Sequence, residues 1–206
     1  MSLPTTLANA GKYLLFAALA LALFLVPGCQ GYDQLVEKDQ TCEQKWADYE
    51  AQLQRRYDLI PNLVSTVKGA AKHEESTLAA VTTARASATS IKLTGEDFTD
   101  PVKMAAFQKA QEELKGSLSR LLVSNEAYPD LKANQGYRDL QVQLEGTENR
   151  ILRSREEYNK AVMAYNTELN KISGQAINKV TGKPFKQRVY FSASAEAQGP
   201  APKVSF

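Results

Sequence analysis

The stretch "YRDLQVQLEGTENRILRSREEYNKAVMAYNTELNKI", Tyr137 to Ile172, decides the fold class. Tyr137, Leu144, Ile151, Tyr158, Tyr165 and Ile172 recur every seven residues, and Leu140, Thr147, Ser154 and Ala161 fill the companion position between them. That repeat keeps one stripe of side chains on one face of an α-helix. Its mixture of large and small residues lets a neighbouring helix approach closely. The helix would be about 55 Å long at its usual rise per residue. Asn134 stands where its side chain can cap the helix start, and Gly174 is the expected terminator.

Upstream the same period persists. "TDPVK" opens a helix in which Asp100 suits the N-cap and Pro101 the first helical position, with a seam at Phe107, Leu114, Leu118 and Leu121. It ends before "EAYPDLKANQ", where Pro129 biases Tyr128 away from helix. The first seam runs through Tyr32, Leu35, Cys42, Trp46, Tyr49, Leu53, Tyr57, Ile60, Val64, Val67, Ala71, Leu78 and Val81, and stops near Leu93, before Thr94 and Gly95. A straight helix from Asp33 to Leu93 would span about 90 Å, so it overhangs its partners, bends or turns back. Pro61 removes one backbone bond and crowds the preceding turn. The seam holds its phase through Leu53, Ile60 and Val67, which predicts a kink at Pro61 rather than a loop. The fold expected is all-α: an elongated antiparallel, up-and-down bundle of three to four long helices over residues 31–174. Residues 175–206 lose the rhythm, and "RVYFS" and "KVSF" predict a tail with short strands.

The N-terminus is of another kind. From Tyr13 to Tyr32 no residue is charged, and "YLLFAALALALFLV" is densely apolar. About 20 helical residues cross a bilayer. Lys12 precedes the run and "VPGC" closes it at Cys29, the pattern of a bacterial lipoprotein signal cut before a lipid-bearing cysteine. Residues 1–28 are therefore read as a signal peptide with Cys29 as lipidation site, or as an uncleaved transmembrane anchor. Both place the rest of the chain at a membrane, on its extracytoplasmic side.

Composition narrows the function. The chain has 206 residues, 43% of them hydrophobic, enough for one modest domain. With 25 basic and 23 acidic side chains the net charge is +2, which supplies no basic tract for nucleic acid. His73 is the only histidine, and Cys42 the only cysteine after Cys29. One of each builds neither a catalytic triad nor a nitrogen and sulfur metal site, so no cofactor, metal or catalytic residue is expected. Cys42 lies on the apolar seam and is read as a packing residue.

"QLQRRYDLIPNLVSTVKG", followed by "HEESTL", "TTARA", "AYPDLKAN", "REEYNKAV", "YN" and the closing "APKVSF", resembles the LemA family of bacterial membrane proteins over Gly31 to Phe206. The resemblance implies a membrane-anchored antiparallel helical bundle with no established activity, cofactor or ligand. It also suggests envelope partners such as a membrane zinc protease. "VPGC" departs from the family's plain anchor.

Three candidate interaction surfaces stand out. Arg55, Arg56 and Asp58 either flank the Pro61 bend, with Asp58 as an internal cap, or form a docking patch for a carboxylate or phosphate. Tyr128 and Lys132 sit in a loop that a bundle would present at its tip. Val189, Tyr190, Phe191, Val204 and Phe206 make the tail too apolar for a solvated terminus. Either they tuck against the chain's own helices, or strand edges in the tail pair with another copy to give a homo-oligomer. The functional expectation is a membrane-tethered, non-catalytic scaffold or adaptor of the cell envelope. The alternative is a hydrolase with paired carboxylates in a cleft.

Overall fold

The computed structural model describes the backbone of residues 5–70, 75–124, 133–180 and 185–192, with side chains from Gly31 onward except at 69, 70 and 124. The described residues form α1 (Thr5–Ala70), α2 (Glu75–Ser90), a 3-10 turn (Gly95–Thr99), α3 (Pro101–Ser124), α4 (Gln135–Asn170) and α5 (Ile172–Val180). The fold class is all-α, and no strand occurs among the described residues.

The helix starts follow the sequence chemistry. Asp100 accepts the backbone amides of Val102 at 2.8 Å and Lys103 at 3.3 Å, and Pro101 takes the first position of α3. Asn134 accepts the amide of Tyr137 at 3.1 Å and starts α4. Each bond satisfies an amide that the first helical turn cannot.

The reversal of the first long segment is a correction. The helix continues without interruption through Pro61 to Ala70, and the chain has turned back by Glu75. One helix from Asp33 to Leu93 is thus two, α1 ending its described course at Ala70 and α2 starting at Glu75. Pro61 is exposed, so its ring faces solvent. As a residue without an amide it leaves the Tyr57 carbonyl, four positions back, without its helical donor. Arg85 of α2 supplies the substitute, its Nε donating to the Tyr57 carbonyl at 3.0 Å. The proline therefore creates an acceptor on α1 that helps to dock α2.

α1 and α4 pack closely and run in opposite senses, since Trp46 meets Tyr158 while Arg56 meets Glu148 farther along α1. α2 and α3 form the second close pair. The seam residues from Leu35 to Ile60 and from Leu144 to Tyr165 are buried as their period requires, and Leu63, off the predicted seam, is buried as well. Trp46 is the hub. Its ring lies 4.8 Å from Phe98, 5.4 Å from Phe107, 5.4 Å from Tyr158 and 5.8 Å from Phe191, so one side chain joins the 3-10 turn, α3, α4 and the C-terminal segment to α1. Aromatic pairs at such distances add about 0.5–1.5 kcal/mol each to the burial itself.

The end of α4 departs from the repeat. The helix stops at Asn170, Lys171 is non-helical, and α5 starts at Ile172, which is 90% exposed instead of continuing the stripe. Gly174 does not terminate α4; it lies inside α5 and is buried. A Cβ there would stand 2.5 Å from the Glu168 carbonyl oxygen and 2.8 Å from that of Leu169. Only glycine lets α5 fold this closely over the last turn of α4.

Candidate functional site

Two features invite ligands. The first is a groove of about 980 Å³ between α3 and α4, whose walls include Lys115, Leu118, Ser119 and Leu122 on one side and Leu144, Glu145, Glu148 and Leu152 on the other. α3 packs on α2 and α4 packs on α1, and that pairing leaves the space between them open. Leu152, 47% exposed, offers apolar surface at the rim.

The groove floor is polar and buried. Arg56, only 1% exposed, donates through Nη1 to Glu148 Oε1 at 3.1 Å and through Nη2 to Gln111 Oε1. Tyr57 donates to the same Gln111 oxygen at 2.9 Å, and the Gln111 amide donates to the Ala88 carbonyl at 3.2 Å. Residues of α1, α2, α3 and α4 meet in this one network. Burial raises the phenol of Tyr57, against the opposing pull of its bond to Gln111, and burial likewise raises that of Tyr49. Both hydroxyls stay protonated, Tyr57 as a donor. An arginine held in this way costs several kcal/mol when its carboxylate is removed, because a buried charge is left unpaired. Arg56 Nε is buried and has no hydrogen-bond partner among the described residues.

The second feature is the C-terminal segment Phe185–Ser192, which lies as a strap on α4 and α5. Asn178, Asn166 and Asn159 each clasp one residue of it with both amide atoms. Phe185 N donates to Asn178 Oδ1 at 2.6 Å, and Asn178 Nδ2 donates to the Phe185 carbonyl at 3.0 Å. The corresponding distances are 3.0 and 2.9 Å for Arg188 with Asn166, and 2.9 and 3.0 Å for Phe191 with Asn159. The spacing explains the fit. Asn159 and Asn166 are seven helical residues apart, about 10.5 Å, and Arg188 and Phe191 are three residues apart, about 10 Å of extended chain. The bend at Lys171 brings Asn178 to the next step. Val189 N bonds to the Phe98 carbonyl at 2.8 Å, and the Tyr165 hydroxyl donates to the Lys186 carbonyl at 3.1 Å.

Two strap side chains enter pockets. Arg188 reaches α1, where Nη2 lies 2.8 Å from Asp39 Oδ1 and 3.4 Å from Glu43 Oε1. Its guanidinium also sits over Phe98 at 5.2 Å and near Tyr165 at 5.9 Å. Phe191 is buried between Trp46, Tyr49 and Tyr158. Burial pushes the phenols of Tyr158 and Tyr165 up to about 12 and the Cys42 thiol up to about 11. Cys42 is therefore a packing residue, with a thiol far from its reactive form at neutral pH.

The residues expected to form a docking patch are separated. Arg56 is inside the groove floor, whereas Arg55 and Asp58 are exposed. Asp58 accepts from Gln54 Nε2 at 2.7 Å within its own helix rather than capping the proline turn. Tyr128 and Lys132 lie outside the described residues, as do His73, Val204 and Phe206 and the side chain of Cys29. In the tail, Val189 and Phe191 pack on the chain's own core and Tyr190 is 42% exposed. "RVYFS" forms no strand, because asparagine amides, not a neighbouring strand, engage its backbone. The groove and the asparagine track were not read from the sequence. The signal for the track was Asn159 and Asn166, which repeat one step beyond the Tyr158 and Tyr165 positions.

Among the described residues no group of histidine, cysteine, aspartate and glutamate is placed to hold a metal ion. Nor is any described helix long and apolar enough to cross a membrane; the run from Tyr13 to Val26 lies outside the residues whose side chains are described. The model of the LemA family matches residues 45–206. No curated protein matches the chain.

Proposed function

The chain belongs to the LemA family, and from that premise we propose that it is a membrane-tethered, non-catalytic adaptor of the bacterial cell envelope. Its four long helices act as an up-and-down bundle that holds a partner protein in the α3–α4 groove. The observation that carries the reading is the open groove itself: an apolar rim at Leu152 and Leu122 over a polar floor fixed by Arg56, Gln111 and Glu148. A mixed apolar and polar concavity on rigid helices suits a side chain or helix of a partner.

The tether is the apolar N-terminal run, attached through a lipid on Cys29 or as an intact anchor, with the bundle on the extracytoplasmic side. Membrane lipid is then the first partner, and an envelope protein such as a membrane zinc protease the second. The test is affinity enrichment of tagged chain from solubilised membranes with quantitative mass spectrometry, comparing wild type, Leu152→Glu and Met163→Glu. Met163 is also exposed on α4 but does not line the groove. The reading requires that Leu152→Glu lose a protein that Met163→Glu retains. Identical protein profiles for all three chains would overturn it.

A further inference from the structure

The strap is held as a bound peptide is held. Three of its peptide units are gripped by asparagine side chains of α4 and α5, and none by a strand. Backbone recognition of this kind accepts many sequences, and the specificity comes from two side chains three residues apart. Arg188 is read by Asp39 and Glu43, and Phe191 by the ring walls of Trp46, Tyr49 and Tyr158.

We infer that the asparagine track is a binding site for an extended Arg-x-x-Phe segment, and that its occupant in trans is the strap of a second copy of this chain. The fit of that occupant is on view, since every copy carries the segment that fills the site. Exchange between two copies replaces each contact by the same contact, so little but the entropy of association opposes it. The competing strap in cis acts at an effective concentration on the order of millimolar, so exchange gains where copies are crowded or the cis strap is weakened. Pairing between copies then uses helix-borne asparagines rather than strand edges. It is independent of the α3–α4 groove, although Phe191 also touches one end of that groove.

Complementation tests it with full-length chains. One variant, Asn159→Ala with Asn166→Ala, has a damaged track and an intact strap. The other, Arg188→Ala with Phe191→Ala, has an intact track and a damaged strap. Each alone is expected to be a monomer by light scattering. Mixed in equal amounts they are expected to give a species of twice that mass, joining one of each. A mixture that keeps the monomer mass while both chains are folded by circular dichroism overturns the inference. Should either double variant fail to fold, the single variant Phe191→Ala is titrated with a labelled peptide of residues 185–192. Saturable binding at least tenfold tighter than to wild type, and weakened by adding Asn166→Ala, supports the site. No saturable binding overturns it.

Discussion

The bond from Arg85 to the Tyr57 carbonyl explains why α1 carries a proline in its interior, and it can be measured by a double-mutant cycle. In the wild-type chain Pro61 has no amide to give Tyr57, and Arg85 Nε fills the vacancy at 3.0 Å. Replacing Arg85 by methionine keeps the aliphatic stem and leaves the half-buried carbonyl without that donor. A hydrogen bond with a charged donor contributes about 1.5–3 kcal/mol, and partial exposure places the expected loss near the lower end. Pro61→Ala restores a helical donor and removes the clash, a local gain of up to about 3 kcal/mol. It also takes the carbonyl away from Arg85, so the net gain should be about 1 kcal/mol. In the Pro61→Ala chain the further change Arg85→Met should cost little. The two substitutions are thus expected to couple by about 1–2 kcal/mol, read from urea unfolding of the four chains after coincidence of fluorescence and circular dichroism transitions has been checked. Additivity to within about 0.4 kcal/mol would refute the reasoning, since independent sites behave that way.

Gly174→Ala should destabilise the chain by about 1–3 kcal/mol, because its Cβ meets two backbone carbonyls that cannot swing aside. Faster hydrogen exchange at Phe185, whose clasp on Asn178 depends on the docked α5, is the accompanying readout. Cys42 sets a pH dependence. Its folded thiol holds its proton up to about 11, whereas an unfolded thiol loses it near about 8.5, so stability is steady below that range and falls as pH rises through it. The raised phenols of Tyr158 and Tyr165 act in the same direction above about 10. Cys42→Ala should flatten the decline in urea midpoint between pH 8 and 10.5, and an unchanged slope would contradict the assignment. If Cys29 carries the tether, a metabolic fatty-acid label should appear on the wild type and vanish in Cys29→Ala; an unlabelled wild type rejects lipidation.

Much of the architecture was legible because burial and helical period coincide. Trp46, Tyr49, Leu53, Tyr158 and Tyr165 could be placed in the core from spacing alone, and Asp100 and Asn134 as caps from chemistry alone. The errors have physical causes. The apolar period ran on from Val67 through Ala71 to Leu78 without losing phase, so it hid a reversal between two helices. Ile172 continued the stripe in sequence, but the bend at Lys171 turned it to solvent. Arg56 was indistinguishable from Arg55 in sequence, because only the partners Glu148 and Gln111, far along the chain, make its burial tolerable. The asparagine track was missed for a related reason. An asparagine beside an apolar stripe looks like solvated helix surface until a segment of matching pitch is laid against it.

The central claim is that the α3–α4 groove holds a protein partner at the membrane. Its most direct test is site-specific photocross-linking in intact cells, with a photoreactive phenylalanine analogue placed at Ser119, Leu152 or Met163 of the full chain. The account predicts the same discrete protein adduct from Ser119 and Leu152, on opposite walls of the groove, and none from Met163. Adducts from Met163 alone, or none from either wall while all three chains accumulate normally, would contradict it.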